Sequence, residues 1–329
     1  IYYTINGEEP DSLSSKYSSP LILAKTTALR ARVIEKGKIP GIVVTQTYLI
    51  NEEIHLPVIS IVTDSANFFD NRTGIYVTGT NGLKGSCDTT KRNLNQDWER
   101  PVNVELYELN GEAAINQEAG IKIYGGCSRT RFPQKSLALY ARNRYGKGTF
   151  DYQLFPDKKI YEFNSFVLRS SADDQVRTFV RDALAQYTGI GMLDLDFQAY
   201  RPAVVFFNGN YWGIHDIREK ISEHYLESNF NIDKASVNIL QSNYSIVYGS
   251  STEYSGLLSF IGSGTLLNKA NYNFVKSQID IDQFIDYEIL HIYLAEKDWP
   301  GNNIKYWNSS ETNFRRWRWI CFDLDQTFI

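Results

Sequence analysis

Asp298-Trp299-Pro300-Gly301-Asn302-Asn303, followed by Trp317-Arg318-Trp319-Ile320-Cys321-Phe322 and then Asp323-Leu324-Asp325, is the stretch on which the reading of this chain turns. Just upstream, residues 281–297 carry Phe284, Ile285, Ile289, Tyr293 and Leu294 at helical spacing, which predicts an amphipathic helix. Pro300 and Gly301 forbid its continuation, so Asp298 should sit just past a helix C-terminus. Residues 317–322 read as a strand whose end delivers Asp323 and Asp325. Two such carboxylates repel unless they are separated or bridged by a cation. The ordinary alternative is a pair of turns in which Asp298 and Asn303 simply bond to backbone.

Working outward, the preceding segments alternate between strand and helix signals. Residues 1–5, 21–23, 28–34 and 43–50 are short strand-like runs broken by turn residues such as Asn6-Gly7, which predicts a small antiparallel β module. The polar residues 51–56 and then Pro57 mark a boundary near residue 55, giving a module over 1–55 and a main domain over 56–329. In the main domain, strands are predicted over 58–62, 102–107, 121–124, 137–140 and 166–168. One helix over 176–187 follows, with Asp173 and Asp174 available as caps. Asn208-Gly209-Asn210 between 204–207 and 211–214 is a hairpin signal. Beyond it, helix and loop are expected.

The chain has 329 residues, a net charge of -4, 43% hydrophobic and 22% charged residues. A two-lobed domain or a domain plus a small module fits that length. The acidic balance argues against a dedicated nucleic-acid binder, and no apolar run is long enough to cross a membrane as a helix. Three cysteines, Cys87, Cys127 and Cys321, allow at most one bridge and no CxxC metal site. The abundance of aromatics, 22 Tyr, 18 Phe and 6 Trp against one Met, fits a secreted or surface protein. The chain starts without Met and is expected to be a fragment of something longer. There is no HExxH and no GxSxG, so zinc-hydrolase and α/β-hydrolase chemistries have no support in the sequence. His215 and His291 lie in apolar surroundings and read as structural histidines.

An Asp, then an Asn five positions later, then another Asp about 25 residues beyond the first is the order in which phosphoryl-transfer sites place a base and two Mg²⁺ ligands. Such chemistry also needs a cation near the phosphates. Residues 124–136, Tyr124-Gly125-Gly126-Cys127-Ser128-Arg129-Thr130-Arg131-Phe132-Pro133-Gln134-Lys135-Ser136, offer paired glycines, hydroxyls and Lys135 between two strand-like runs. No GxxxxGK[ST] loop occurs, and a basic glycine-containing hairpin is common on any surface.

Taken together, the motifs resemble a known family, the CotH kinases, atypical kinases named for a spore coat protein H. The resemblance covers roughly residues 56–329. It rests on residues 125–136 with their Pro133-Gln134-Lys135-Ser136 run, on 176–189 with Arg181-Asp182, on Asn208-Gly209-Asn210-Tyr211-Trp212-Gly213-Ile214 continuing to Glu219-Lys220, on 303–307, and on Phe322-Asp323-Leu324-Asp325-Gln326-Thr327-Phe328. Two departures are Gln134 before Lys135 and Asn302 before Asn303. Residues 1–55, with Tyr3-Thr4-Ile5-Asn6-Gly7-Glu8-Glu9-Pro10, resemble the immunoglobulin-like module at the C-terminus of chitobiases and β-hexosaminidases, which is usually an accessory.

The resemblance implies an α+β, protein-kinase-like two-lobed fold, with a mainly β N-lobe, a helical C-lobe and the small N-terminal module. It implies that Lys135 clasps ATP phosphates beside Gly125, Gly126, Ser128 and Arg129, and that Asp298 orients or deprotonates the acceptor hydroxyl. Asn303 and Asp323 would hold Mg²⁺ or Mn²⁺, with Asp325 a second ligand or a support for Asp323. Glu219 would lie at the adenine-facing connection, and the acidic partner of Lys135 would be Asp173, Asp174 or Asp182. The expected activity is ATP-dependent phosphorylation of Ser or Thr on a secreted or surface protein of bacterial type, with glycan contact open to the module and the C-lobe cut short. The alternatives are a non-catalytic adhesion or coat-assembly protein and a nucleotide-binding pseudokinase.

Overall fold

A computed structural model describes residues 1–85, 87–264 and 266–328. The fold is α+β, and the chain forms two compact units. The first comprises Ile1–Ala172 and Tyr200–Arg218, and the second the remaining described residues.

The first unit begins with a four-stranded antiparallel sheet in the order Ser15–Lys16, Tyr2–Thr4, Thr27–Arg32, Val44–Tyr48. Alternation in the sequence anticipated its three longer strands. Residues 21–23 form no strand: Ile22 is almost fully exposed, and Ser15–Lys16 pairs instead with Tyr2 and Tyr3. A run of apolar residues without a sheet face to cover has no reason to pair.

Next comes a closed barrel of seven strands, in the order Leu137–Tyr140, Ser165–Arg169, Asn210–Glu219, Tyr200–Phe207, Val58–Val62, Arg100–Tyr107, Ala113–Ile123. Val58–Val62 pairs in parallel with Tyr200–Phe207 and antiparallel with Arg100–Tyr107. Successive strand residues face opposite ways, yet every residue of Val58–Val62 is buried. Ile59 and Ile61 share one face, and Val58, Ser60 and Val62 the other. The module covers part of this strand, since Ser60 Oγ lies 2.8 Å from Thr47 Oγ1 of the strand Val44–Tyr48. Asn208 (φ 48°) and Gly209 (φ 77°) form the predicted hairpin turn. A Cβ on Gly209 would sit 3.0 Å from Ala28 N and 3.1 Å from Thr27 Cα, so only glycine lets the tip lie on the module's backbone.

The second unit contains helices Arg181–Tyr187, Glu223–Phe230, Thr252–Ser263, Lys269–Gln278 and Ile281–Leu294. It also holds a five-stranded sheet in the order Asp196–Phe197, Arg318–Cys321, Lys305–Ser309, Val237–Gln241, Ser245–Tyr248. The strands Val237–Gln241 and Ser245–Tyr248 correct the expectation of helix and loop alone beyond the hairpin. Their apolar residues pack on the buried Trp307 and Ile320, a long-range partnership that local pattern does not reveal. The predicted helix over 176–187 starts later, at Arg181, because Phe179 takes a left-handed conformation (φ 65°). Asp174 nevertheless serves the helix start, its carboxylate accepting from Arg181 N at 3.1 Å and from Thr178 Oγ1 at 2.6 Å. The long helix ends at Leu294 with Ala295 left-handed (φ 50°), which places Asp298 in the following turn, as its sequence predicts.

Candidate active site

In the first unit, the strand Ala113–Ile123 leads into the glycine-containing turn and the short helix Ser128–Arg131. Gly125 adopts φ 99°, and a Cβ there would meet Ser128 Oγ at 2.8 Å. Arg129 folds back onto this turn, donating from Nε to the Gly125 carbonyl at 2.8 Å and from Nη1 to the Leu94 carbonyl at 3.4 Å. A disulfide joins Cys127 to Cys87 across 40 residues, the single bridge that the cysteine count allowed.

Lys135 precedes the strand Leu137–Tyr140 and is 8% exposed. Its backbone N–H donates to Tyr76 Oη at 2.8 Å, and its Nζ donates to the Phe132 carbonyl at 2.9 Å and lies 5.4 Å from the Tyr76 ring centroid. Burial lowers the pKa of this amine below the usual lysine range, and Arg92 adds to the effect. His215 is fully buried against the same segment, its Nε2 3.3 Å from the Lys135 carbonyl, and burial pushes its pKa down to about 4. It is a neutral structural histidine, as is His291, which burial also takes to about 4.

In the second unit, three of the residues singled out from the sequence converge. Asp298 Oδ2 accepts from Asn303 Nδ2 at 3.2 Å and from Asn302 Nδ2 at 3.0 Å, and the same Asn303 amide donates to the Asp323 carbonyl at 3.2 Å. Asn303 and Asp323 both sit in the left-handed region, with φ 57° and 58°. A non-glycine residue held there carries strain that the surrounding bonds must hold in place. Asp182 Oδ1 accepts from Leu324 N at 2.8 Å and from Gln186 Nε2 at 3.0 Å, fixing the turn between Asp323 and Asp325. The Asp325 carbonyl accepts from Arg181 Nη1 at 3.4 Å.

The acidic residues considered as partners of Lys135 have contacts within their own unit. Asp174 lies 3.5 Å from Arg181 Nη2 as well as capping its helix, Asp173 accepts from Gln326 Nε2 at 2.6 Å, and Asp182 is described above. Glu219 is buried, with Oε2 accepting from Ala199 N and Oε1 from Asn229 Nδ2, both at 2.8 Å. Its carboxylate therefore ties two segments of the second unit together.

Two groups went unnoticed in the sequence. Glu296, two positions before Asp298, is buried, and its Oε1 accepts from Asp298 N at 3.0 Å. Its Oε2 has no hydrogen-bond partner among the described residues. Burial, followed by the charges of Asp323, Asp298 and Asp182, pushes its pKa up to about 7, against the smaller downward pull of that bond from Asp298 N. Lys305 sits with Nζ 3.8 Å from the Phe322 ring centroid, and burial lowers its pKa to about 8 despite the nearby Asp323. Neither residue carries a sequence signal, since a Glu at a helix end and a Lys opening a strand are unremarkable by position.

Among the described residues, no group of three or more His, Cys, Asp or Glu side chains is arranged to hold a metal ion alone. The cluster of Asp298, Asn303 and Asp323 offers only hard oxygen donors, which suit Mg²⁺ or Mn²⁺ completed by phosphate oxygens and water. No helix among the described residues is long and apolar enough to cross a membrane.

No curated protein matches the chain. The family described as Fn3 associated matches residues 1–48, the span of the N-terminal sheet. The family described as CotH kinase protein matches residues 121–329, which include the glycine-containing turn, Lys135, the strand Asn210–Glu219 and the whole Asp298 to Asp325 cluster. That match takes in well over half of the chain, and the chain belongs to the CotH kinase protein family.

Proposed function

We propose that this protein is an ATP-dependent kinase that transfers the γ-phosphoryl group to a Ser or Thr hydroxyl of a secreted or surface protein. The single observation that carries the reading is Asn303, whose amide joins the Asp298 carboxylate to the Asp323 backbone. A base and two metal ligands must be held in one geometry for phosphoryl transfer, because catalysis there is mostly positioning and charge stabilisation.

In this reading Asp298 orients the acceptor hydroxyl and takes its proton. Asn303, its amide nitrogen turned to protein, presents its oxygen to the cation beside the Asp323 carboxylate, with Asp325 as second ligand or support. A bound Mg²⁺ or Mn²⁺ neutralises the charge of the phosphates. Lys135, Arg129, Ser128 and the backbone of Gly125 and Gly126 receive those phosphates, which requires Lys135 to leave the Phe132 carbonyl. Glu219 contributes its place at a strand end near the adenine. Residues 1–55 then form an immunoglobulin-like module and 56–329 a two-lobed kinase-like domain. The Cys87–Cys127 disulfide favours an oxidising compartment, in keeping with a secreted or surface location.

The test is incubation with γ-labelled ATP and Mn²⁺, comparing wild type with Asp323→Ala and Asp298→Ala, each checked for an unchanged melting temperature. Labelling of the protein or an added acceptor, lost in both variants, supports the reading. Equal labelling in all three rules it out.

A further inference from the structure

The first unit contains a second concavity that the kinase reading does not use, a cavity of 440 Å³ where the N-terminal module meets the barrel. Its lining includes the aromatic rings of Trp212, Phe69 and Phe207 and the polar side chains of Asn6, Lys25 and Asn210, and none of the described lining residues carries a carboxylate. The volume falls within the roughly 300–1,000 Å³ typical of small-molecule sites, which combine aromatic walls with a few polar groups.

The walls are rigid. The Trp212 ring centroid lies 5.3 Å from that of Phe207, 5.9 Å from Phe69 and 5.4 Å from Tyr76, so the indole is braced from several directions. The hairpin tip is seated on the module: a Cβ on Gly7 would fall 2.3 Å from the Asn208 side chain, and Arg30 Nη1 bonds the Gly7 carbonyl at 3.0 Å. Asn208 itself is fully engaged with the backbone of Thr63, at 3.0 and 2.9 Å. A preformed cavity of this kind loses little entropy on taking up a ligand. Phe69 remains 41% exposed and Trp212 is half-buried, so the aromatic wall is open to an incoming molecule.

We propose that this cavity binds a neutral oligosaccharide, one sugar ring lying against the Trp212 and Phe69 rings while Asn6, Asn210 and Lys25 bond its hydroxyls. An apolar C–H face with hydroxyls around its edge is the ligand that such a wall, two side-chain amides and one ammonium complement. A single cation without carboxylates gives no cage for a divalent ion, and one lysine is a thin basis for holding a polyanion. The site lies wholly in the first unit and is independent of phosphoryl transfer.

The test is calorimetric titration of the full chain with cellotetraose, mannotetraose, N-acetylchitotetraose and, as an anionic arm, tetragalacturonate. Saturable binding of at least one neutral sugar is expected, with a Kd of about 1 mM or tighter. Trp212→Ala should weaken it more than about tenfold. Because that change also removes packing, the Lys25→Ala/Asn210→Ala double variant, confined to exposed side chains, is the second arm and should weaken it at least about fivefold at unchanged melting temperature. No saturation by any neutral sugar, binding of tetragalacturonate alone, or unchanged affinity in the double variant each overturns the proposal.

Discussion

The carboxylate of Glu105, on the barrel strand Arg100–Tyr107, accepts from the backbone N–H of Thr47 at 2.9 Å and from its hydroxyl at 2.5 Å, locking the N-terminal module to the barrel. Tyr107 Oη donates to the same carboxylate at 2.9 Å, and Glu105 has no exposed surface. Removing it strands buried donors, each costing about 1–3 kcal/mol. Glu105→Ala should therefore lower the melting temperature by roughly 5–10 °C, and Glu105→Gln, which keeps one acceptor, by less. Calorimetry showing no change in Glu105→Ala would mean that the module is only loosely attached.

The Cys87–Cys127 bridge closes a loop of 40 residues that includes the strand Arg100–Tyr107. On the chain-entropy account such closure restricts the unfolded state by about 4 kcal/mol. Cys127→Ser, or a reducing buffer, is expected to lower stability by a comparable or smaller amount. In the kinase reading it should also weaken ATP binding, because Cys127 anchors the turn that would hold the phosphates. An identical denaturation midpoint with and without reductant would exclude a structural part for this bond.

The sequence made some of these features plain and hid others, for physical reasons. Asn208-Gly209, Pro300-Gly301 and the alternation of residues 102–107 are local signals, and the structure follows them. The five-stranded sheet of the second unit was hidden because Val237–Gln241 finds its partner in Lys305–Ser309, far along the chain. The order and spacing of Asp298, Asn303 and Asp323 drew attention to three residues that the structure joins through the Asn303 amide. Glu296 and Lys305 were not, because their significance comes from burial beside other charges.

Glu296 makes stability depend on pH in a specific window. Its folded pKa of about 7 lies above the ordinary 4.5, so between these values the folded chain holds a proton that the unfolded chain releases. Stability should fall as pH rises from about 4.5 to 7 and then level off, by an amount on the order of 3 kcal/mol for this group. Glu296→Gln, neutral throughout, should flatten that part of the profile. Denaturant midpoints measured from pH 4 to 8 check this, and parallel profiles for the two proteins would refute it.

Lys305 gives the last prediction, in which stability and activity move in opposite directions. Its folded pKa of about 8 lies below the ordinary 10.5, so between these values the unfolded chain carries a proton that the folded chain lacks, and stability from this group rises with pH. The charge next to Asp323, however, is lost above about pH 8. If that charge helps to hold phosphate at the Asp298 to Asp323 cluster, labelling with γ-phosphate should decline above this pH. Arginine stays protonated throughout, so Lys305→Arg should lack the decline where its fork fits, and Lys305→Ala should label at least about tenfold more slowly at pH 7. Rates measured from pH 6 to 10 decide the matter: a Lys305→Ala enzyme as fast as wild type at pH 7 would show that the ammonium only packs on Phe322.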